Sequence, residues 1–334
     1  MKGRRNQVVG IVYHADLNEA QGAALAAMPP ARGPFDRPEW AALLASECLA
    51  DHAPLLAMAQ DGEAILAMFL MSDGPRRLAS LTNWYSFWWR PLGEMGLLTS
   101  LAGDIAGKAD VIRLSHMPER EAGMLARAFR KAGWAAFVRP CDVNHYLPVG
   151  GRSFAEYWAA RPGQLRETVR RKGRKGVVDL HIATEFSGTD WAAYESVYRL
   201  SWKPGEGSPE FLRQFAMAEG AAGRLRLGVA RIAGKPVAAQ FWTVEAGTAF
   251  IHKLAHDELA KKHSPGTLLS AALFEHVIDR DKVSEIDFGT GDDPYKRDWM
   301  EAVRTRHAVI LYRLAAPRIW PELVRSAAKH WLGR

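Results

Sequence analysis

Three short segments in the second half of this 334-residue sequence combine residue types that can do chemistry. The first is Lys261-Lys262-His263-Ser264-Pro265-Gly266-Thr267, which reads as the opening of a helix. Ser264 suits the N-cap, and Pro265 suits the first helical position, where its missing N–H costs nothing. Gly266 and Thr267 keep the first turn uncrowded, so its unpaired N–H groups can meet an anion, and Lys262 adds charge beside them. A phosphorylated ligand fits this pattern, and so does a well-capped structural helix next to solvated lysines.

The second segment is the strand-like run Ala249–His256. His252 and His256 are four apart and so are expected on one face of a strand. A neutral imidazole can take a proton from an amine or hydroxyl. His252 is preferred, because His256 sits at the strand exit beside Asp257; the plain alternative is an outward polar position. The third segment is Asp287–Lys296, where Gly289-Thr290-Gly291 permits tight turns after a strand. Asp292, Asp293, Tyr295 and Lys296 then cluster at a strand's C-terminal end, where open α/β sheets place ligands. Asp292 can serve as a base, Tyr295 can protonate a leaving group, and Lys296 can hold a phosphate or carboxylate. A capped helix start with Tyr295 packed beneath it is the alternative. Trp202 and Lys203, with Gln240 and Trp242 on one face of a strand, are the substrate-side candidates, although a tryptophan also suits a core.

These residues need a scaffold, and the sequence supplies one twice. In the second half, strands are expected over 224–232, 237–245 and 249–255, then a helix from Ser264 to about Asp279. A strand over 284–288, a helical stretch over 295–303 and a strand over 307–314 follow. In the first half the same order appears: strands over 54–60, 63–71 and 78–83, a helix over 95–108, a strand over 111–115, a helix over 119–132, then strands within 135–148. Helices over 38–49, 190–200 and 208–219 precede the two units. The expected division is 1–150 and 151–334, each an α/β unit with a mixed sheet flanked by helices. The run Trp84–Trp89 is denser in rings than a core strand requires and suits a cleft wall or an interface.

Composition narrows the partners. A net charge of +7 favours anionic ones, and 48% apolar residues suffice for a core in each half. The basic run Arg166–Lys175 suits a solvated helix face, an anionic ligand, RNA or an anionic membrane surface. It lacks the interleaved aromatics of a stacking platform, which argues against nucleic acid. Two cysteines, Cys48 and Cys141, match no metal spacing and point to a reduced, cytoplasmic setting. No apolar run is long enough for a membrane span, though peripheral membrane contact remains open.

The β-β-β-α-β-α-β order with Ser264-Pro265-Gly266 heading the central helix resembles the GNAT acyltransferase fold. Residues 151–314 are similar to the acetyltransferases associated with bacterial cellulose and exopolysaccharide synthesis, the CelD/BcsL type. The residues that carry this are Leu165–Lys172, Ser201-Trp202-Lys203, Gly234–Ala239, Ala255-His256-Asp257, Ser264–Leu269 and Asp287–Lys296. The FemAB aminoacyltransferases share the tandem architecture. The resemblance implies two tandem GNAT-like domains, the first degenerate and the second holding the site. It implies acetyl-CoA or another acyl-CoA as co-substrate and no metal. The pyrophosphate would lie at Lys262, Ser264, Gly266 and Thr267, and the acyl arm along Leu254 and Ala255, where a backbone N–H polarises the thioester carbonyl. His252 or Asp292 would then be the base and Tyr295 the acid. Trp202, Lys203, Gln240, Trp242 and Lys296 would face an amine or hydroxyl of a sugar or cell-envelope precursor. Two other readings stay open: a FemAB-like aminoacyltransferase using aminoacyl-tRNA, and a non-catalytic GNAT-fold scaffold.

Overall fold

Strand-like runs separated by tight turns become antiparallel hairpins in this computed structural model, which describes residues 9–17 and 28–332. The basic stretch Met1–Arg5 and Val8 lie outside the described residues. Residues 1–142 with 305–334 form one compact unit, and residues 143–304 form another. The last thirty residues, expected within a 151–334 domain, therefore group with the first unit.

The first unit holds β1 (Gly10–His14), α1 (Pro38–Cys48), β2 (Pro54–Asp61), β3 (Ala64–Ser72), β4 (Arg77–Ser80) and a two-residue β5 (Leu92–Gly93). Then come α2 (Leu98–Asp104), β6 (Val111–Pro118), α3 (Glu119–Lys131) and the start of β7 (Trp134–Pro148). Strand order is β1-β2-β3-β4-β6, antiparallel except for the parallel pair β4/β6. Along α3, Ala122, Leu125, Ala126 and Phe129 recur at helical spacing and are buried against this sheet. The rings of the 84–89 run mostly turn inward within this unit. Trp89 Nε1 donates to the Phe69 carbonyl (2.7 Å), and Trp88 Nε1 to Asp36 (2.9 Å). Asp36 also pairs with buried Arg90 at 2.6 Å. Trp84 stays 64% exposed.

The second unit begins with the end of β7, followed by α4 (Phe154–Ala159), α5 (Gly163–Gly173), β8 (Asp179–Ala183), α6 (Gly188–Arg199) and α7 (Pro209–Ala221). Next come β9 (Leu225–Ile232), β10 (Lys235–Glu245), β11 (Thr248–His256), α8 (Pro265–Glu275), β12 (Glu285–Thr290) and the one-turn α9 (Lys296–Trp299). The order is β7-β12-β11-β10-β9-β8. Both hairpins among β9, β10 and β11 turn on two residues of positive φ, Ala233-Gly234 and Ala246-Gly247, the backbone twist that two-residue hairpins need.

Alternation along β10 separates the two faces of this sheet. Phe241 packs on Trp191 of α6 and Phe215 of α7, whereas Trp242 packs edge-on against Phe274 of α8. Helix α8 lies close to β9 because Gly228 has no side chain: a Cβ there would come within 3.0 Å of Leu269 and 2.9 Å of Leu273. Pro162 and Gly163 divide the basic segment into α4 and α5. In α5, Leu165 and Val169 pack on the α8-side core, while Arg166, Arg170 and Arg171, and Arg174 and Lys175 just past its end, are exposed. The helix expected over 295–303 ends at Trp299, because the chain becomes extended at Met300 to enter β13 (Ala302–Arg313). Strand β13 pairs with β6 in the first unit, and α10 (Trp320–Leu332) ends the described chain. Among the described residues, no helix is long and apolar enough to cross a membrane.

Candidate active site

Strands β11 and β12 are parallel neighbours, yet they pair only over Thr248–Phe250 and Glu285–Asp287. Beyond Phe250 they part: β12 pairs Thr290 with Asn144 of β7, while β11 runs on to His256. The end of β12 is pinned by the fully buried Asp287. Its carboxylate accepts from Asn144 Nδ2 (2.6 Å), the Gly289 N–H (2.7 Å) and Arg304 (2.6 Å). Asp287 thus ties the end of β12 to Asn144 of β7 and to Arg304.

A cavity of about 330 Å³ lies at this gap under the first turn of α8. It collects seven of the residues expected at the site: Trp202, Gln240, Leu254, Ala255, Gly266, Thr267 and Tyr295. His256, Ser270, Phe288 and Trp299 line it as well. Pro265 takes the first helical position as expected, but Ser264 behaves differently. It occupies the N-cap position with φ 54°, and its side chain makes no capping bond. With a left-handed backbone, Ser264 ends the preceding 3₁₀ turn and starts α8 at once, and lacks the extended geometry from which an N-cap hydroxyl meets the helix N–H groups. Those groups are therefore not capped by Ser264. The Lys262 ammonium is exposed, and its carbonyl accepts from Lys172 of α5, which ties the basic helix to this loop.

Gln240 is only 2% exposed, and every polar atom of its amide is used. Its Nε2 donates to the Gly266 carbonyl (3.1 Å) and Ser270 Oγ (2.8 Å), while its Oε1 accepts from Trp242 Nε1 (3.0 Å). It is therefore a clamp on the first turn of α8 rather than a substrate contact. Trp242, expected to face a substrate, is fully buried in the α8-side core. Period-two alternation correctly put both residues on one face; that face is covered by a helix. Lys296, expected to hold a phosphate or carboxylate, is not among the residues lining the cavity. Its buried ammonium donates to the carbonyls of Thr290 and Gly291 and so braces the glycine turn instead of facing a ligand.

The two histidines do not share a face. The pairing of β10 with β11 slips between Phe241 and Trp242, where Phe241 opposes Lys253 and Trp242 opposes Ile251. His252 is the extra residue of this bulge, and the bulge breaks the alternation. His252 stacks on Phe241 (5.1 Å between centroids) and bonds Thr243 Oγ1 through Nε2 (2.8 Å), on the α6/α7 face. His256 lies on the α8 face, with Trp202 on its ring (4.6 Å) and Glu258 at 3.1 Å from Nε2. Burial lowers its pKa below the ordinary histidine value, against the pull of Glu258. Asp292 is not among the cavity residues. Its carboxylate is held by His145 (2.8 Å) and Arg297 (2.9 Å), and these partners, His145 first, keep its pKa below the usual carboxylate range. Tyr295, just ahead of α9, packs edge-on against Phe288 (5.7 Å). Burial, then the neighbouring Asp293, pushes its pKa up to about 12, so the phenol keeps its proton throughout the neutral range.

Residues 160–297, less than half of the chain, match the family of acetyltransferase (GNAT) domains. The fold is that of the GNAT acyltransferases. Among solved structures, FemX matches over 92% of this chain and 99% of its own, with a TM-score of 0.64 at 9% identity. The C-terminal domain of a putative lysylphosphatidylglycerol synthetase from Agrobacterium fabrum matches over 86% of this chain and 91% of its own, with a TM-score of 0.54 at 12% identity. A tandem GNAT protein from the clavulanic acid biosynthesis pathway matches over 90% of this chain and 98% of its own, with a TM-score of 0.50 at 12% identity. At these identities the likeness concerns the fold. No curated relative matches the chain.

Lys203 faces elsewhere. It lines a second cavity, of about 480 Å³, formed by α6, the start of α7 and the segment between them. The adjacent residue Trp202 lines the first cavity. Likewise on β11, Lys253 reaches Glu206 in the wall of the second cavity (2.8 Å), while Leu254 lines the first. Sequence reasoning had no route to this cavity, because Tyr194, Tyr198 and Glu206 look like an ordinary helix face and a loop acid. Ser270 was findable, since it stands one helical turn from Gly266 and Thr267.

Proposed function

We propose that this protein is an acyl-CoA-dependent acyltransferase, in the simplest case an acetyltransferase, acting on an amine or hydroxyl of a sugar or cell-envelope precursor. The observation that carries the reading is the parting of β11 and β12 at a cavity roofed by the first turn of α8. The residues present fit an acyl-CoA. The N–H groups of that turn carry the positive end of the helix dipole, and Lys262 adds charge beside them. Leu254 and Ala255 offer an extended, apolar edge for the pantetheine arm, and a backbone N–H of β11 beyond its last pair with β12 would polarise the thioester carbonyl.

In this reading the acceptor's nitrogen or oxygen forms a bond to the acyl carbon while the carbon–sulfur bond breaks. The electron pair leaves on sulfur, which takes the Tyr295 proton. The proton lost by the acceptor returns to Tyr295 through solvent. Gln240 acts one step back by fixing the turn that meets the pyrophosphate. His256, flanked by Trp202 and Gly266, packs against the same turn.

Calorimetric titration with acetyl-CoA tests this. Saturable one-site binding that Gly266→Glu removes is expected. Binding untouched by Gly266→Glu, or absent from the native protein, contradicts it. Affinity for an aminoacyl-tRNA instead, falling steeply with salt, favours the aminoacyltransferase reading.

A further inference from the structure

The second cavity has a composition of its own. Its floor is aromatic: Trp191, Tyr194 and Tyr198 are buried beneath it. Its acids are already engaged. Glu206 pairs with Lys253 at 2.8 Å and accepts a hydrogen bond from the Tyr198 hydroxyl, and Glu195 accepts from Trp191 Nε1 at 3.0 Å. Its bases are not. Among the described residues, neither Arg199 nor Lys203 stands in an ion pair; the Lys203 ammonium lies 5.7 Å over the Trp202 ring. With Glu206 neutralised by Lys253, the cavity leaves Arg199 and Lys203 in excess over Glu195, a net positive charge above an aromatic floor.

We propose that this cavity seats the acceptor and selects a ring-bearing acceptor with one anionic group, a phosphate or a carboxylate, held between Arg199 and Lys203. The proposal rests on the acyltransferase reading for the word acceptor; the anion site itself stands on the cavity alone. Two features set it beside the donor side. Trp202 and Lys203 are consecutive yet line different cavities, and so are Lys253 and Leu254 on opposite sides of β11 at the gap. A nucleophile seated above Tyr198 with its anionic group on Lys203 would enter from the face opposite the donor.

The charge environment agrees. The groups acting on Lys203 are Lys253, Glu206, Asp293 and Lys296, and burial together with Lys253 lowers its pKa to about 8. A bound anion relieves this and keeps the lysine protonated.

The test is equilibrium binding, by tryptophan fluorescence, of phenyl phosphate, benzoate and benzyl alcohol to the full chain. The first two share the ring and carry the two candidate anions; the third is neutral. At least one anionic probe is expected to bind tenfold or more tighter than benzyl alcohol, and which one does so names the anion. Lys203→Met and Arg199→Met should each reduce that preference about tenfold, and in the native protein it should fade above pH 8. Equal affinity for all three probes, or a preference intact in both variants, overturns the proposal. Arg199 is exposed, so its variant keeps the test usable if Lys203→Met fails to fold. Acetyl-CoA titration of the same preparations separates the two ideas. Anion selectivity without acetyl-CoA binding supports this site and counts against the acyltransferase reading; acetyl-CoA binding without selectivity does the reverse.

Discussion

The two units use the same strand order but treat the place between the third strand and the central helix in opposite ways. In the first unit, β4 stops at Ser80, and the ladder with β6 is extended past Ala79 by the Ser115 N–H donating to Ser80 Oγ (3.2 Å). The following segment folds its own rings inward: Phe87, Trp88 and Trp89 are buried, and the Arg90–Asp36 pair sits with them. In the second unit, β11 continues six residues past its last pair with β12, and the lining there includes Ala255, Gly266, Thr267 and Ser270. A shared topology supplies the place in both units; in the first the following segment buries its own rings, and in the second a cavity is left. This contrast supports assigning donor binding to the second unit and treating the first as structural.

The contrast can be broken from either side. Trp89→Ala removes a buried ring and its hydrogen bond to Phe69. It should cost about 3–5 kcal/mol of stability in chemical denaturation while the folded fraction still binds acetyl-CoA normally. Loss of acetyl-CoA affinity in the folded protein would show that the first unit takes part in donor binding. Gly266→Glu places a carboxylate beside the first turn of α8. The new Cβ meets the His256 ring no closer than 3.6 Å, so the fold should hold. Acetyl-CoA affinity should fall more than a hundredfold by calorimetry, roughly 2.7 kcal/mol or more.

Tyr295→Phe should lower kcat about ten- to a hundredfold with little change in acetyl-CoA binding. Because the Tyr295 pKa is pushed up to about 12, the native enzyme should show no loss of this acid below pH 10 in its kcat profile. A limb near pH 8 to 9 that vanishes in Tyr295→Phe would contradict the high pKa. Gln240→Leu leaves Trp242 Nε1 and the Gly266 carbonyl short of a partner. A stability loss of about 1–3 kcal/mol is expected, together with weaker acetyl-CoA binding through a loosened turn. An unchanged melting temperature would contradict the clamp.

Much of the scaffold was legible. The repeated strand and helix order came from alternation and glycine turns, and β2, β3, β9, β10 and β11 fall within a few residues of the ranges expected from them. Edge strand β8 was not seen, because Asp179–Ala183 is mostly exposed and has no apolar run to announce it. Of the site, the small-residue turn at Gly266-Thr267, the edge at Leu254-Ala255 and Tyr295 were readable, since each belongs to a segment with a strong local signature. The errors have one source. Sequence spacing gives a face but not what covers it, so Trp242 and Gln240 read as ligand contacts when α8 lies over them. A bulge leaves no mark in the pattern, so His252 and His256 looked like neighbours. Lys296 read as free because its partners are backbone carbonyls, which sequence never displays.

Hydrogen–deuterium exchange with and without saturating acetyl-CoA tests the central claim most directly, since it reads both units in one experiment. Slowed exchange confined to residues 251–256 and 264–270 is the predicted result. Protection centred on residues 81–94, or none in either segment, would contradict the account.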